Sequence, residues 1–258
     1  MYPMTIREQL GQAGGPTFFD RVAAGEDLEV PANSPDLRGY VSLALRSGFP
    51  TAALQLTGPA RAAWLASYID DLLTHDVVQL EEPGGRRRDP KRLRDYLEAY
   101  ALNSAGVSEH KTTYDAAKIN KVTAIAYERL LTDLLIVERV PAWTSNRLKR
   151  LVHRPKRYLI DSALMAATLR MDEQGVIGDG NVLGRLLDTF VAGQLRPEVA
   201  VSRTRPRLFH LRTEKGRQEI DLLAELGGQS VIAMEVKADA APGANDARHL
   251  IWLRDRIE

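Results

Sequence analysis

The feature that most constrains this chain is a set of charges set inside strand-like apolar runs near its C-terminal end. Ile220-Asp221-Leu222-Leu223 and Val231-Ile232-Ala233-Met234-Glu235-Val236-Lys237 have the length and composition of strands, yet each carries an acid. An unpaired carboxylate taken out of water is strongly unfavourable, so Asp221 and Glu235 imply partners. Side chains alternate across a strand, which places Glu235 and Lys237 on one face and Met234 and Val236 on the other.

The surroundings predict three consecutive strands, at 208–212, 219–225 and 230–238, turned by Gly216 and by Gly227-Gly228 as an antiparallel meander. Before them come a short strand at 157–160 and a helix capped by Asp161 or Ser162 that runs to about residue 171. A second helix follows, with Leu183, Leu186, Leu187, Phe190, Val191 and Leu195 on one face and Asp188 at its edge.

This arrangement has a chemical logic. Asp221 and Glu235, on adjacent strands, are placed to share a hard divalent cation such as Mg2+, with Asp188 completing the shell. The metal would polarise a scissile phosphate and lower the pKa of an attacking water, which Lys237 would orient. The plainer alternative makes Glu235 and Lys237 an exposed cross-strand pair and Asp221 a turn-facing polar residue.

Upstream the chain is helical. Residues 1–57 are rich in Gly and Pro and leave room for short helices at 18–24 and 36–45. Trp64, Leu65, Tyr68, Ile69, Leu72 and Leu73 predict one amphipathic helix over 59–80. A loop with Arg86, Arg87 and Arg88 follows, then a helix at 91–103. A short helix to Ala117, a turn at 119–121, a helix at 122–135 and a strand or wing at 137–143 have helix-turn-helix spacing. In that unit Lys121, Thr123 and Arg129 face outward, but Glu128 and Asp133 are expected on the same exposed face and weigh against DNA. Arg147, Lys149, Arg150, Arg154, Lys156 and Arg157 then form a basic stretch that is either a phosphate-binding patch or a solvated linker.

Bulk charge narrows the classes further. With 35 Lys and Arg against 34 Asp and Glu, the net charge is +1, so nucleic-acid contact must come from a local patch. The absence of cysteine excludes disulfides, thiol catalysis and Cys-based zinc sites. No apolar run is long enough for a membrane helix, and a soluble cytoplasmic protein is expected.

The segments 158–164, 183–191, 217–223 and 234–237, in that order, resemble the C-terminal domain of a large group of prokaryotic AAA-type ATPases. That domain is catalogued as domain of unknown function 4143 and is PD-(D/E)xK nuclease-like. Ser47-Gly48-Phe49-Pro50, the 64–77 helix and residues 143–150 also look like this group, so the resemblance covers nearly the whole chain. It implies an α+β fold: an N-terminal helical region with a winged-helix-like unit, then a restriction-endonuclease-like α/β domain with the three-stranded antiparallel meander. The corresponding division is 1–57, a segment following an ATPase core; 58–145, helical and winged-helix-like; and 146–258, nuclease-like.

The chain lacks the G-x-x-x-x-G-K-[ST] phosphate cradle, so ATP belongs to the full-length architecture and no ATP hydrolysis is expected here. It is expected to begin inside or just beyond the ATPase domain, and its last helix, at 246–257, stands where the group continues into a further strand. Relatives commonly carry Glu where Asp188 stands, one methylene longer. The resemblance implies a DNA-associated protein with Asp221, Glu235 and Lys237 catalytic and Asp188, Asp221 and Glu235 binding Mg2+. The alternative is a non-catalytic DNA- or protein-binding module whose partners include an ATPase domain or a second copy.

Overall fold

The structure, a computed structural model, describes residues 2–76, 89–107, 110–144, 154–213, 216–227, 230–239 and 243–257. The fold is mixed: a helical N-terminal region leads to a three-stranded antiparallel sheet near the C-terminus. Among the described residues, no helix is long and apolar enough to cross a membrane.

Several helices of the N-terminal part start on side-chain caps. Thr5 and Glu8 form a reciprocal capping box at α1 (Ile6–Gln9), and Thr17 caps α2 (Phe18–Ala23). Asp36 caps α3 (Leu37–Ala44). The helix expected over 59–80 begins as α4 (Gly58–Asp71) and passes into a π-helical turn at Leu72–Asp76; residues 77–80 lie outside the described residues. Asp89 caps α5 (Pro90–Leu102), whose Pro90 sits at the first turn, where a missing N–H costs no helix hydrogen bond. Then come α6 (His110–Ala116) and α7 (Lys121–Asp133), the latter capped by Asn120, whose side chain accepts from the Thr123 N–H. One core joins α3 to α7 through buried Val41, Leu73, Leu93, Tyr96, Tyr127 and Leu131.

β1 (Val137–Val140) pairs antiparallel with β2 (Lys156–Leu159), with Val137 opposite Leu159 and Val140 opposite Lys156. The pair straddles the division expected between residues 145 and 146. Immediately after β2, Asp161 is buried and caps α8 (Ser162–Thr168). The same carboxylate accepts from the Gly48 N–H at 2.7 Å and the Ser47 hydroxyl at 3.0 Å, tying the 47–48 turn to α8. Burial raises the pKa of Asp161, opposed by these donors.

A short helix α9 (Glu173–Gly178) precedes α10 (Gly180–Val201), the spine of the C-terminal half. Its buried stripe includes Leu183, Leu186, Leu187 and Leu195, as the sequence periodicity predicts. The N-terminal helices dock onto it: Gln194 accepts from the Ile6 N–H at 2.7 Å, and Glu198 holds Arg7 and the Phe18 N–H.

The sheet order is β3-β4-β5, with β3 (Arg207–Arg212), β4 (Glu219–Glu225) and β5 (Val231–Met234) all antiparallel. Gly216, at φ +66°, supplies left-handed backbone between β3 and β4. Leu222 and Ala224 of β4 pack with Val140, Tyr158, Ala192 and Leu195. Leu223 and Ile220 pack beneath Leu253 of α11 (Arg248–Ile257). The β5 strand ends at Met234, four residues before the expected 238. The reason is local: Asp221 Oδ2 accepts from the Val236 N–H at 3.0 Å, so a side chain takes over the donor a longer ladder would use.

Candidate functional site

Lys156 opens β2, and the alternation of a strand turns it and Tyr158 to one side and Arg157 to the other. The Lys156 side chain is 1% exposed, and its ammonium lies 2.5 Å from Asp188 Oδ2 on α10 and 2.9 Å from Asp221 Oδ1 on β4. A third, longer contact of 3.4 Å reaches the Asp221 carbonyl oxygen. The Tyr158 hydroxyl donates to Asp188 Oδ1 at 2.9 Å, and its ring lies 5.6 Å from the ammonium. With Val236 N–H on Asp221 Oδ2, all four carboxylate oxygens of the two aspartates have a donor.

The titration of these groups follows from that geometry. Burial lifts Asp188 to about 6, against the pull of Lys156, and neighbouring Asp221 adds to the lift. Asp221 is also pushed up by burial, but Lys156, the Val236 N–H and Lys237 outweigh that and leave it below its ordinary value. Burial depresses Lys156, yet the two carboxylates outweigh it and raise the ammonium's pKa. Tyr158 is held well above its ordinary range by burial and by Asp188. Two acids sharing one monocation carry an excess negative charge, and Asp188 is the group that takes the proton.

Glu235 stands apart from this cluster. Its side chain is 4% exposed, and Lys237 Nζ is 2.6 Å from Oε2 as an ion pair; neither Glu235 oxygen is in hydrogen-bond geometry. The structure therefore brings together Asp188 and Asp221, and separately Glu235 and Lys237. Among the described residues, no group of three or more His, Asp or Glu is placed to hold a metal ion. The residues present do not fit Mg2+, because the oxygens of both aspartates are already committed and the third acid pairs with its own lysine.

The basic stretch divides in the same way. Arg147, Lys149 and Arg150 lie outside the described residues. Arg154 is exposed, and its carbonyl oxygen bonds His210 Nε2. Lys156 and Arg157, expected on phosphate, both turn inward and are buried. Arg157 Nε donates to Glu128 Oε1 at 2.9 Å. Arg139 reaches the same oxygen at 3.2 Å, and His110 Nε2 lies 3.5 Å from Oε2 and 2.8 Å from the Tyr96 hydroxyl.

Glu128, expected on the exposed face of α7, is thus 3% exposed and sits between two arginines. Its place facing outward is taken by Val122, 78% exposed, and Ile125, 50% exposed, beside the exposed Arg129–Asp133 pair. Burial, with Arg157, Arg139 and Lys121, lowers the pKa of His110 despite the opposing pull of Glu128.

Sequence reasoning misses Tyr158 and assigns Lys156 to phosphate rather than to the two buried aspartates. A signal was present: two cations open a strand whose remainder, Tyr158-Leu159-Ile160, is apolar on both faces, so both needed anions.

Comparison with known proteins matches residues 37–175, or 139 of 258 residues, to Domain of unknown function (DUF8612). Residues 183–258 match Domain of unknown function (DUF4143). An uncharacterised protein of Mycobacterium bovis and one of Mycobacterium tuberculosis are each 28% identical over 200 residues, covering 77% of this chain and 43% of theirs. The chain thus spans less than half the length of these curated relatives. No solved structure matches it.

Proposed function

The chain belongs to the family defined by Domain of unknown function 8612, and from that premise we propose that it is a non-catalytic, protein-binding or regulatory module of AAA-type ATPase-family proteins. The placement beside an ATPase draws on the C-terminal match, a domain that commonly follows AAA ATPase domains.

One observation carries the non-catalytic reading: the ammonium of Lys156 is buried between Asp188 and Asp221, where a metal-dependent phosphodiesterase would need open carboxylate oxygens. Two further observations agree with protein rather than nucleic acid as the partner. Lys156 and Arg157 are turned away from solvent, which removes them from any phosphate contact. The exposed face of α7 presents Val122 and Ile125 next to a compensated Arg129–Asp133 pair, with exposed Lys121 adding a single positive charge at the helix start.

The test is plasmid nicking by the purified 258-residue chain in Mg2+ or Mn2+, alongside ATP turnover. The expected result is no nicking and no ATP hydrolysis. Metal-dependent nicking lost in Asp221→Ala and Glu235→Ala would overturn the reading. Salt-sensitive DNA binding that survives both substitutions would leave it non-catalytic and change the partner to nucleic acid.

A further inference from the structure

We propose that the Lys156 ammonium is a built-in cation standing where Asp188 and Asp221 would otherwise share a divalent ion, so that this chain carries an acid pair closed to metals. The inference deepens the non-catalytic reading and rests on it.

Three properties of the site argue for it. The first is position. The ammonium bridges one oxygen of each aspartate at 2.5 and 2.9 Å, and a hard cation shared by two carboxylates occupies the same bridging place, at oxygen distances of roughly 2.0–2.6 Å. The second is saturation. The remaining oxygens are held by the Tyr158 hydroxyl and the Val236 N–H, so an entering ion would have to displace donors on every side. The third is the tether. Lys156 is fixed by antiparallel pairing opposite Val140, and its side chain is 1% exposed, so an ion taking its place would strand a buried ammonium with no anion.

Charge balance agrees. A divalent ion would neutralise both carboxylates, whereas one ammonium neutralises one and leaves the remaining oxygens to the neutral donors Tyr158 and the Val236 N–H. The two-stranded β1–β2 pair is thereby locked to α10 and β4 by a side chain rather than by a metal. Lys156→Gln, which keeps most of the volume and removes the charge, converts the pair into a divalent-cation site.

The experiment uses the full chain and Mn2+ as the probe. In wild type, Mn2+ is expected to leave Tm unchanged and to cause no paramagnetic NMR broadening centred on residues 156, 188 and 221. In Lys156→Gln, Mn2+ at millimolar concentration is expected to raise Tm, because a ligand bound only by the folded state stabilises it, and adding Asp188→Asn should abolish that rise.

Mn2+ broadening centred on Asp188 and Asp221 in wild type would overturn the proposal. So would a Lys156→Gln protein that folds and shows no Mn2+-dependent rise. If Lys156→Gln fails to fold, the wild-type broadening decides alone: its absence supports the closed pair and its presence sinks it. Mn2+ bound at the pair without nicking defeats this inference and spares the non-catalytic reading. Metal-dependent nicking lost in Glu235→Ala but kept in Asp188→Asn, with no Mn2+ broadening at the pair, does the reverse.

Discussion

Two neighbouring residues of one strand, Lys156 and Arg157, enter buried ionic clusters of opposite balance. Toward α10 and β4, one cation meets two acids, Asp188 and Asp221. Toward α7, one acid, Glu128, meets two arginines, Arg157 and Arg139. Each cluster holds a shifted titrating group: burial, with Asp221 adding to it, makes Asp188 hold its proton more tightly, and burial, with Arg157 and Arg139 adding to it, makes His110 hold its proton less tightly. The lesson is that burial sets the direction of both shifts and the local excess of charge adds to each.

The sharpest way to break this comparison is to remove the cation from the acid-rich side. Lys156→Met leaves Asp188 and Asp221 together with no cation between them, and losing one partner of a buried pair costs about 3–5 kcal/mol. Denaturant unfolding at neutral pH should show a loss of that size. A loss under 1 kcal/mol would mean that the cluster is not the buried lock described here.

Removing the acid from the opposite cluster should cost less. Glu128→Gln takes the carboxylate from Arg157, which is 9% exposed at its side chain, while Arg139 is 46% exposed and can return to water. The expected loss is about 2–3 kcal/mol, between the cost of an unpaired buried group and that of a broken buried ion pair. Equal losses in the two variants would erase the asymmetry between the clusters.

The proton on Asp188 is the next test. Its folded pKa of about 6 lies above the ordinary 3.8, so between those values the folded chain binds a proton that the unfolded chain does not. Stability from this residue is therefore greatest near pH 4, falls as pH rises to 6, and is flat beyond. Subtracting an Asp188→Asn profile from wild type should isolate that slope, on the order of 3 kcal/mol in total. Asp221, shifted the other way, contributes stability above its unfolded value that is lost in stronger acid, and it is present in both proteins.

How much of this was legible in the sequence depended on range. Caps and faces are local: Asp161 caps α8, and the apolar stripe of α10 falls where its periodicity puts it. The meander was legible from alternating runs and from Gly216. The partners of Lys156 lie 32 and 65 residues away, and no local pattern tells a cation bound for phosphate from one bound for buried aspartates. Glu128 misled for the same reason, since a single charged residue on a helix is ordinarily solvated. The early end of β5 was hidden because a side chain, Asp221, replaces the ladder at Val236.

The smallest effect is the most discriminating, because its sign is opposite to that of Asp188. His110 has a folded pKa below its ordinary 6.5, with burial as the leading cause, so the unfolded chain binds the proton first as pH falls. Its contribution to stability is present above 6.5 and is lost as pH drops through the folded value. His110→Gln keeps a polar group near the Tyr96 hydroxyl and removes the titration. Wild type minus His110→Gln should therefore lose stability on acidification over the range in which wild type minus Asp188→Asn gains it. The expected amplitude is under about 1 kcal/mol, since the imidazole is only partly withdrawn from water. Slopes of the same sign in both difference profiles would show that the two clusters are not balanced by opposite proton shifts, whatever their geometry.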